Sequence, residues 1–269
     1  MEKPIQILLT NDDGIQSPGL WAAAGALSEL GYVHVVAPRD QFSGAGRSLP
    51  STSDGIITPQ QMKVNGKLWT VYSVGGTPAQ AILHAICEIL PQPPDLVVSG
   101  INYGENLGVG VTVSGTVGAA MEGAGNGIRA LAVSLETDQA EHLSYSTRID
   151  FSTAAYFTAL FGRMVLERRL PGDVDLLKVD VPCDASPDTP WEVTRLSPQA
   201  YFVPVTPTRE RWDQPKTVGY RRSEELSGSG VDTDVYAVRV KRVVSVTPLS
   251  LDLTSRVSLQ ELDQLLRGG

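Results

Sequence analysis

A short apolar run that stops at two adjacent carboxylates constrains this chain more than any other stretch. Ile5, Ile7, Leu8, Leu9 and Thr10 make a β-branched-rich segment that ends abruptly at Asn11-Asp12-Asp13-Gly14. A short continuous apolar run closed by turn residues reads as a strand buried on both faces. Such strands belong to parallel sheets, and α/β proteins bind their ligands at the carboxyl ends of those strands. Two aspartates held side by side there repel each other unless a cation or a proton lies between them. A hard divalent cation with oxygen ligands would satisfy them. A solvated Asx turn capping the next helix would also explain the motif, and the motif alone leaves both readings open.

The chain continues in the same alternating manner. Pro18-Gly19 opens a helix to about Leu30, stopped by Gly31, and Val33–Ala37 is a second strand ended by Pro38. Residues 39–55 form a long polar loop, of the kind that is often functional. Met62–Val74 holds two short strands joined by Asn65-Gly66, a strong hairpin signal. Thr77 and Pro78 start a helix through Ile89. Asp95–Ser99 is a buried strand, residues 100–113 a glycine-rich loop, Ser114–Gly123 a small-residue helix and Leu131–Leu135 a strand. Ser146–Arg168 is amphipathic, with Phe151, Ala154, Ala155, Thr158, Phe161 and Val165 on one face. This alternation predicts an α/β core over residues 1–182, built on a mostly parallel sheet.

Composition shifts near Pro182. Prolines crowd the next stretch, with strand candidates at Trp191–Leu196 and Tyr201–Val205. Thr208–Arg222, with Trp212 and Tyr220, reads as an exposed hairpin or arm. Val235–Val240 and Val243–Val246 return to a strand pattern, and Ser258 caps a last helix, Leu259–Leu266. Residues 183–269 thus read as a β-rich C-terminal arm or subdomain, with oligomerisation and plain surface extension both open.

Charge and composition exclude several classes. With 22 basic against 30 acidic residues, the net charge of −8 argues against a nucleic-acid polymer or an anionic membrane as partner. A small phosphate ester stays possible, because a bound cation reverses the local sign. Cys87 and Cys183 form neither a CxxC nor a zinc spacing, and no apolar run reaches roughly 18 residues. The expectation is a soluble, reduced, cytoplasmic protein. His34, His84 and His142 lack ligand spacing and read as packed or surface residues.

Three loops place polar groups just past predicted strands: Asn11–Gly14, Arg39–Gly44 and Gly100–Asn106. If the strands are parallel neighbours, these loops converge at one sheet edge. Their carboxylates, hydroxyl and amide oxygens suit Mg²⁺ or Mn²⁺ and not zinc. Ser114-Gly115-Thr116 opens a helix whose first amides suit a phosphate, although helix capping alone accounts for Ser114 equally well. No Walker A loop, complete dinucleotide fingerprint or GxSxG is present, and adjacent Asp12 and Asp13 do not match a DxD aspartyl-phosphate motif.

The segments TNDDGIQSPG at 10–19, APRDQFSGAGRS at 37–48, SGINYGENLG at 99–108 and SGTVGAAMEG at 114–123 closely resemble the SurE family of stationary-phase survival proteins. The resemblance implies a Rossmann-like core with helices on both faces and a C-terminal portion making homodimer or homotetramer contacts. It implies a metal-dependent phosphatase of nucleoside 5′-monophosphates, with 3′-monophosphates as further substrates. By motif, one divalent cation per subunit would be held by Asp12, Asp13, Ser43 and Asn102. Asn11, Gly44, Ser114, Gly115 and Thr116 would line the phosphate pocket. The expected chemistry is attack by metal-activated water, with Asp12 or Asp13 also placed to accept a proton.

Overall fold

The computed structural model describes residues 4–225 and 230–268. In chain order its first half runs β1 (Gln6–Thr10), α1 (Pro18–Leu27), β2 (Tyr32–Pro38), β3 (Ile57–Val64), β4 (Lys67–Val74), α2 (Pro78–His84), β5 (Leu96–Tyr103), α3 (Gly115–Gly125) and β6 (Ala130–Leu135). The second half adds α4 (Ser152–Glu167), β7 (Leu176–Val181), β8 (Trp191–Val193), β9 (Phe202–Val205), β10 (Gly219–Arg222), α5 (Asp234–Tyr236), β11 (Val244–Leu249) and α6 (Leu259–Leu266).

Nine strands make one sheet in the order β3-β4-β2-β1-β5-β6-β7-β11-β8. From β4 to β7 every neighbouring pair is parallel. The antiparallel exceptions are the β3–β4 hairpin and the pairing of β11 with β7. Asn65 and Gly66 at the hairpin tip both take positive φ, 47° and 78°, as a tight two-residue turn requires. Ile7 and Leu9 of β1 pack with Leu20 and Leu27 of α1 and Phe157 and Phe161 of α4. Leu8 points the other way, among Ile82 of α2 and Ala119 and Ala120 of α3. Helices therefore cover both faces, and the centre of β1, Ile7, Leu8 and Leu9, is apolar because neither of its faces meets water.

The mostly parallel α/β sheet, the Asn65-Gly66 hairpin, the Thr77 cap and the Ser258-capped last helix all match the sequence reading, and Gln80 adds a reciprocal bond at the Thr77 cap. Four segments differ. β5 runs on to Tyr103, through a register shift between Ser99 and Asn102, where a loop from residue 100 was predicted. α4 starts at Ser152, six residues later than expected, with Phe151 buried just ahead of it. β7 was not foreseen: it carries Lys178 and Asp180 fully buried, and two charges disguise a core strand. Val235–Val240, expected as a strand, is helical, with α5 passing into the wider turn Ala237–Lys241. The reason lies in the two residues that precede this stretch. Thr233 caps the Tyr236 amide, while the Asp234 carboxylate accepts from the Gly108, Ser197 and Val235 amides and from Lys178. Those bonds fix a helical start that outweighs β-branched propensity.

Beyond Val181, β8 and β11 complete the main sheet, whereas β9 and β10 leave it as a separate two-stranded hairpin. α6 has no buried residue. Among the described residues no helix is long and apolar enough to cross a membrane.

Candidate active site

β1 lies between β2 and β5, so the chain builds outward from it in both directions and leaves a crevice above its end. Such a switch point is where doubly wound sheets take their ligands. Asp12 and Asp13 stand there, 4% and 1% exposed. Asn11 performs the turn chemistry beside them. Its Oδ1 accepts from the Gly14 amide at 3.1 Å and its Nδ2 donates to the Gly14 carbonyl at 3.0 Å. Helix α1 follows Ser17 without using either aspartate as a cap. The Asx turn is thus closed by Asn11, and the two carboxylates are left to another purpose.

Asp12 faces the start of α3. Its Oδ1 accepts a short bond from the Thr116 hydroxyl, and the Gly115 and Thr116 backbone amides also point at the carboxylate. A Cβ added to Gly115 would sit 2.7 Å from the Asp12 Cβ, so only glycine permits this approach. Asp13 faces β5 and the loop after β2. Its Oδ2 accepts from the Tyr103 amide at 3.2 Å and its Oδ1 from Gln41 Nε2 at 3.1 Å. All these donors are neutral. Burial raises the Asp12 pKa, and burial together with the neighbouring Asp12 charge lifts Asp13 well above the usual carboxylate range. A buried acidic pair with neutral partners fits a divalent cation, whose charge offsets both the lost hydration and the repulsion.

The remaining expected residues are placed as follows. Asn102 is at the end of β5, where its Nδ2 donates to the carbonyls of Tyr103 (3.2 Å) and Gly104 (2.6 Å). Both bonds use the nitrogen, which leaves Oδ1 out of them. Ser43 and Gly44 are exposed, one and two residues past Phe42, whose amide donates to the Asp12 carbonyl at 2.8 Å. Among the described residues Ser43 makes no bond to either aspartate. The Ser114 hydroxyl accepts from the Val117 amide at 3.1 Å as the cap of α3. The loop 42–48 lies along that helix: the Gly46 amide donates to the Val113 carbonyl at 2.9 Å and Arg47 pairs with Glu122 at 2.7 Å. Close packing on α3, and not a dinucleotide, therefore accounts for GAGRSL.

Three contributors were not singled out from sequence: the Gln41 side chain, the Tyr103 amide and the Thr116 hydroxyl as a partner of Asp12. Gln41 lay in a loop already marked as polar. A main-chain amide leaves no trace in a residue string. A second acidic group, Glu136, Cys183 and Asp184, also draws together. The Arg242 guanidinium fills it, 2.7 Å from Glu136 and 2.5 Å from Asp184, and holds Glu136 below its ordinary pKa. With Arg239 also 3.6 Å from Glu136, the two carboxylates face two guanidinium groups, and the cluster is an ion-pair network.

The family model described as "Survival protein SurE" matches residues 7–202. The chain is 44% identical over 269 residues to "5′-nucleotidase SurE" of Thermococcus gammatolerans, covering 98% of this chain and 97% of that one. It is 43% identical over 256 residues to the protein of the same name from Archaeoglobus fulgidus, covering 94% of each. Among solved structures it resembles the SurE protein of Aquifex aeolicus, with a TM-score of 0.74 and 34% identity over 97% of this chain and 99% of that one.

Proposed function

The chain belongs to the SurE family, and from that premise we propose that it hydrolyses nucleoside 5′-monophosphates to nucleoside and phosphate, with 3′-monophosphates as further substrates. The observation that carries this reading is the buried Asp12–Asp13 pair at the switch point, pressed against the amino end of α3. Asp12, Asp13, Ser43 and Asn102 would hold one Mg²⁺ or Mn²⁺ through oxygen. When bound, such an ion withdraws charge from a phosphoryl oxygen and acidifies water. The chain's own groups do the rest. Ser114, Gly115 and Thr116 form the amino end of α3, whose dipole favours an anionic phosphate placed beside Asp12. A Cβ at Gly44 would meet nothing within 4 Å, which leaves open space there, and Asn11 closes the turn beside the aspartates. Asp12 or Asp13 accepts a proton from the attacking water.

The test is release of inorganic phosphate from a panel of nucleoside monophosphates and simple phosphate monoesters, with several divalent cations and a chelator. Hydrolysis of 5′-nucleotides that chelation abolishes is the expected result. Binding without turnover under every cation would leave a nucleotide-sensing protein instead.

The arm and tail carry the proposal of a homodimer or homotetramer. Trp212 is 93% exposed, and α6 displays Leu259, Leu262, Leu265 and Leu266. A capped amphipathic helix with no covered face gains stability only by packing on something. A second copy of the chain satisfies that need.

A further inference from the structure

One side-chain amide joins the acidic pair to the distant arm. Gln41 Nε2 donates one hydrogen to Asp13 Oδ1 (3.1 Å) and the other to the His142 carbonyl (2.9 Å). His142 is 7% exposed, and its Nδ1 lies 3.0 Å from the Tyr220 hydroxyl of β10. Its ring stacks on Tyr220 and meets the edge of Phe202 of β9. Gln139, in the same turn, donates to the Tyr220 carbonyl. Beneath the ring is Gly104, at φ +97°, where a Cβ would come within 2.5 Å of His142 Nε2. The Gly104 carbonyl in turn accepts from Asn102. The turn around His142 is therefore clamped between the hairpin on one side and two expected metal-site residues on the other.

We propose that Gln41 is a positioning residue for the hydrolytic site, fixing the Asp13 carboxylate, and that Tyr220 of the hairpin braces it through His142. The proposal rests on reading Asp13 as a metal-site residue. Its physical basis is that a carboxylate free to rotate presents its oxygens to a cation only part of the time. Outer partners that orient ligands are worth about 10–100-fold in metal affinity or activity. Gln41 supplies a neutral donor, so it fixes Asp13 without competing for its charge as Arg or Lys would. Because both hydrogens of one nitrogen are used, moving the His142 carbonyl also moves the donor to Asp13.

The experiment compares wild type, Gln41→Met and Tyr220→Phe. Mn²⁺ affinity is measured without substrate by electron paramagnetic resonance, alongside kcat, KM for a 5′-nucleotide, and Tm. Gln41→Met keeps length and removes both donors. The expected result is Mn²⁺ binding weakened, or kcat lowered, by about 10-fold or more, with KM within about twofold. Tyr220→Phe, one bond further away, should shift the same quantities in the same direction by a smaller factor. A residue that only fastens its loop would lower Tm or raise KM and leave substrate-free Mn²⁺ affinity and kcat alone, and that outcome overturns the proposal. So does a Tyr220→Phe enzyme equal to wild type in both. If the wild type hydrolyses no nucleotide, the functional reading fails, while the Mn²⁺ titrations still decide whether Gln41 positions Asp13.

Discussion

The crevice above β1 and the segment beyond Val181 treat their side chains in opposite ways. At the crevice, polar groups are sealed in: Asn11, Asp12, Asp13 and Thr116 are all buried. At the chain's far end, apolar groups are left out: Leu253, Leu259, Leu265 and Leu266 are each at least 66% exposed. Both arrangements cost free energy in an isolated chain, the first through desolvated charge and the second through wet hydrocarbon. Each points to something that completes it, an ion and an ester in one place and a protein surface in the other. An intermediate region connects them. Glu105, in the loop after β5, is buried and takes bonds from Arg222 of the hairpin at 2.9 Å and the Tyr201 hydroxyl at 2.6 Å.

The sharpest way to break this contrast is Asp13→Ala. It should lower kcat on the order of 10³-fold or more, the scale of losing a group that acts at the reacting centre. Tm without metal should hold or rise, because a buried like-charge repulsion is relieved. Steady-state kinetics and thermal melts check both, and an active variant in chelated buffer would refute the site. Gly115→Val comes next. Its new Cβ falls on Asp12, so it should displace that carboxylate as well as crowd the phosphate, with turnover down about 10²-fold. Mn²⁺ binding is the discriminating measurement, since unchanged affinity would mean that only the phosphate side is affected.

The same contrast predicts that damage to the tail spares chemistry. Leu262→Glu with Leu265→Glu should reduce the mass seen by light scattering to a smaller species, with kcat per chain within about threefold of wild type. These residues touch nothing near Asp12, and rim or tail substitutions act on assembly. Deleting residues 208–221 should reduce the mass too, but it also removes Tyr220 and should lower kcat. An unchanged mass in both cases would remove the arm and tail from the interface.

The smallest effect is one of pH. Burial pushes Glu136 up, but the hydrogen bonds and charge of Arg242 together with the Cys183 amide outweigh it, and Arg242 likewise holds Asp184 below its ordinary pKa. A depressed folded-state pKa contributes stability that is complete above the unfolded value and is lost as pH falls through the folded one. Glu136→Gln should therefore cost about 1 kcal/mol at pH 7, and the gap should close as acid titrates the wild-type carboxylate below its ordinary value of 4.5. Urea melts at pH 7 and at about pH 3 measure this. An equal gap at both would assign the loss to packing.

The sequence disclosed the crevice better than the far end for a physical reason. Its strands are apolar on both faces and its turns use Asn, Asp and Gly, so local pattern and global fold agree. The acidic pair was visible because two adjacent aspartates after a buried strand conflict with that pattern. β7 was hidden because Lys178 and Asp180 are charged. Their burial depends on pairing with each other and with Asp234, 56 residues beyond Lys178. Val235–Val240 misled for a related reason, because Asp234 ties that stretch to Gly108, far away in sequence. Gln41 was overlooked because its role depends on a carbonyl 101 residues later. Long-range polar bonds decided each of these cases, and residue periodicity does not encode them.

The placement of β1 has one more consequence. It is hydrogen-bonded on both sides, to β2 and to β5, and its last four residues are fully buried. Amides in such a strand exchange with solvent only when the whole domain opens, whereas an uncovered helix like α6 exchanges through local fraying. The acidic pair is thus attached to the slowest-exchanging part of the molecule. On gentle heating the tail should detach, and the assembly come apart, while the catalytic edge stays formed, so that inactivation of the chemistry coincides with collapse of the entire sheet.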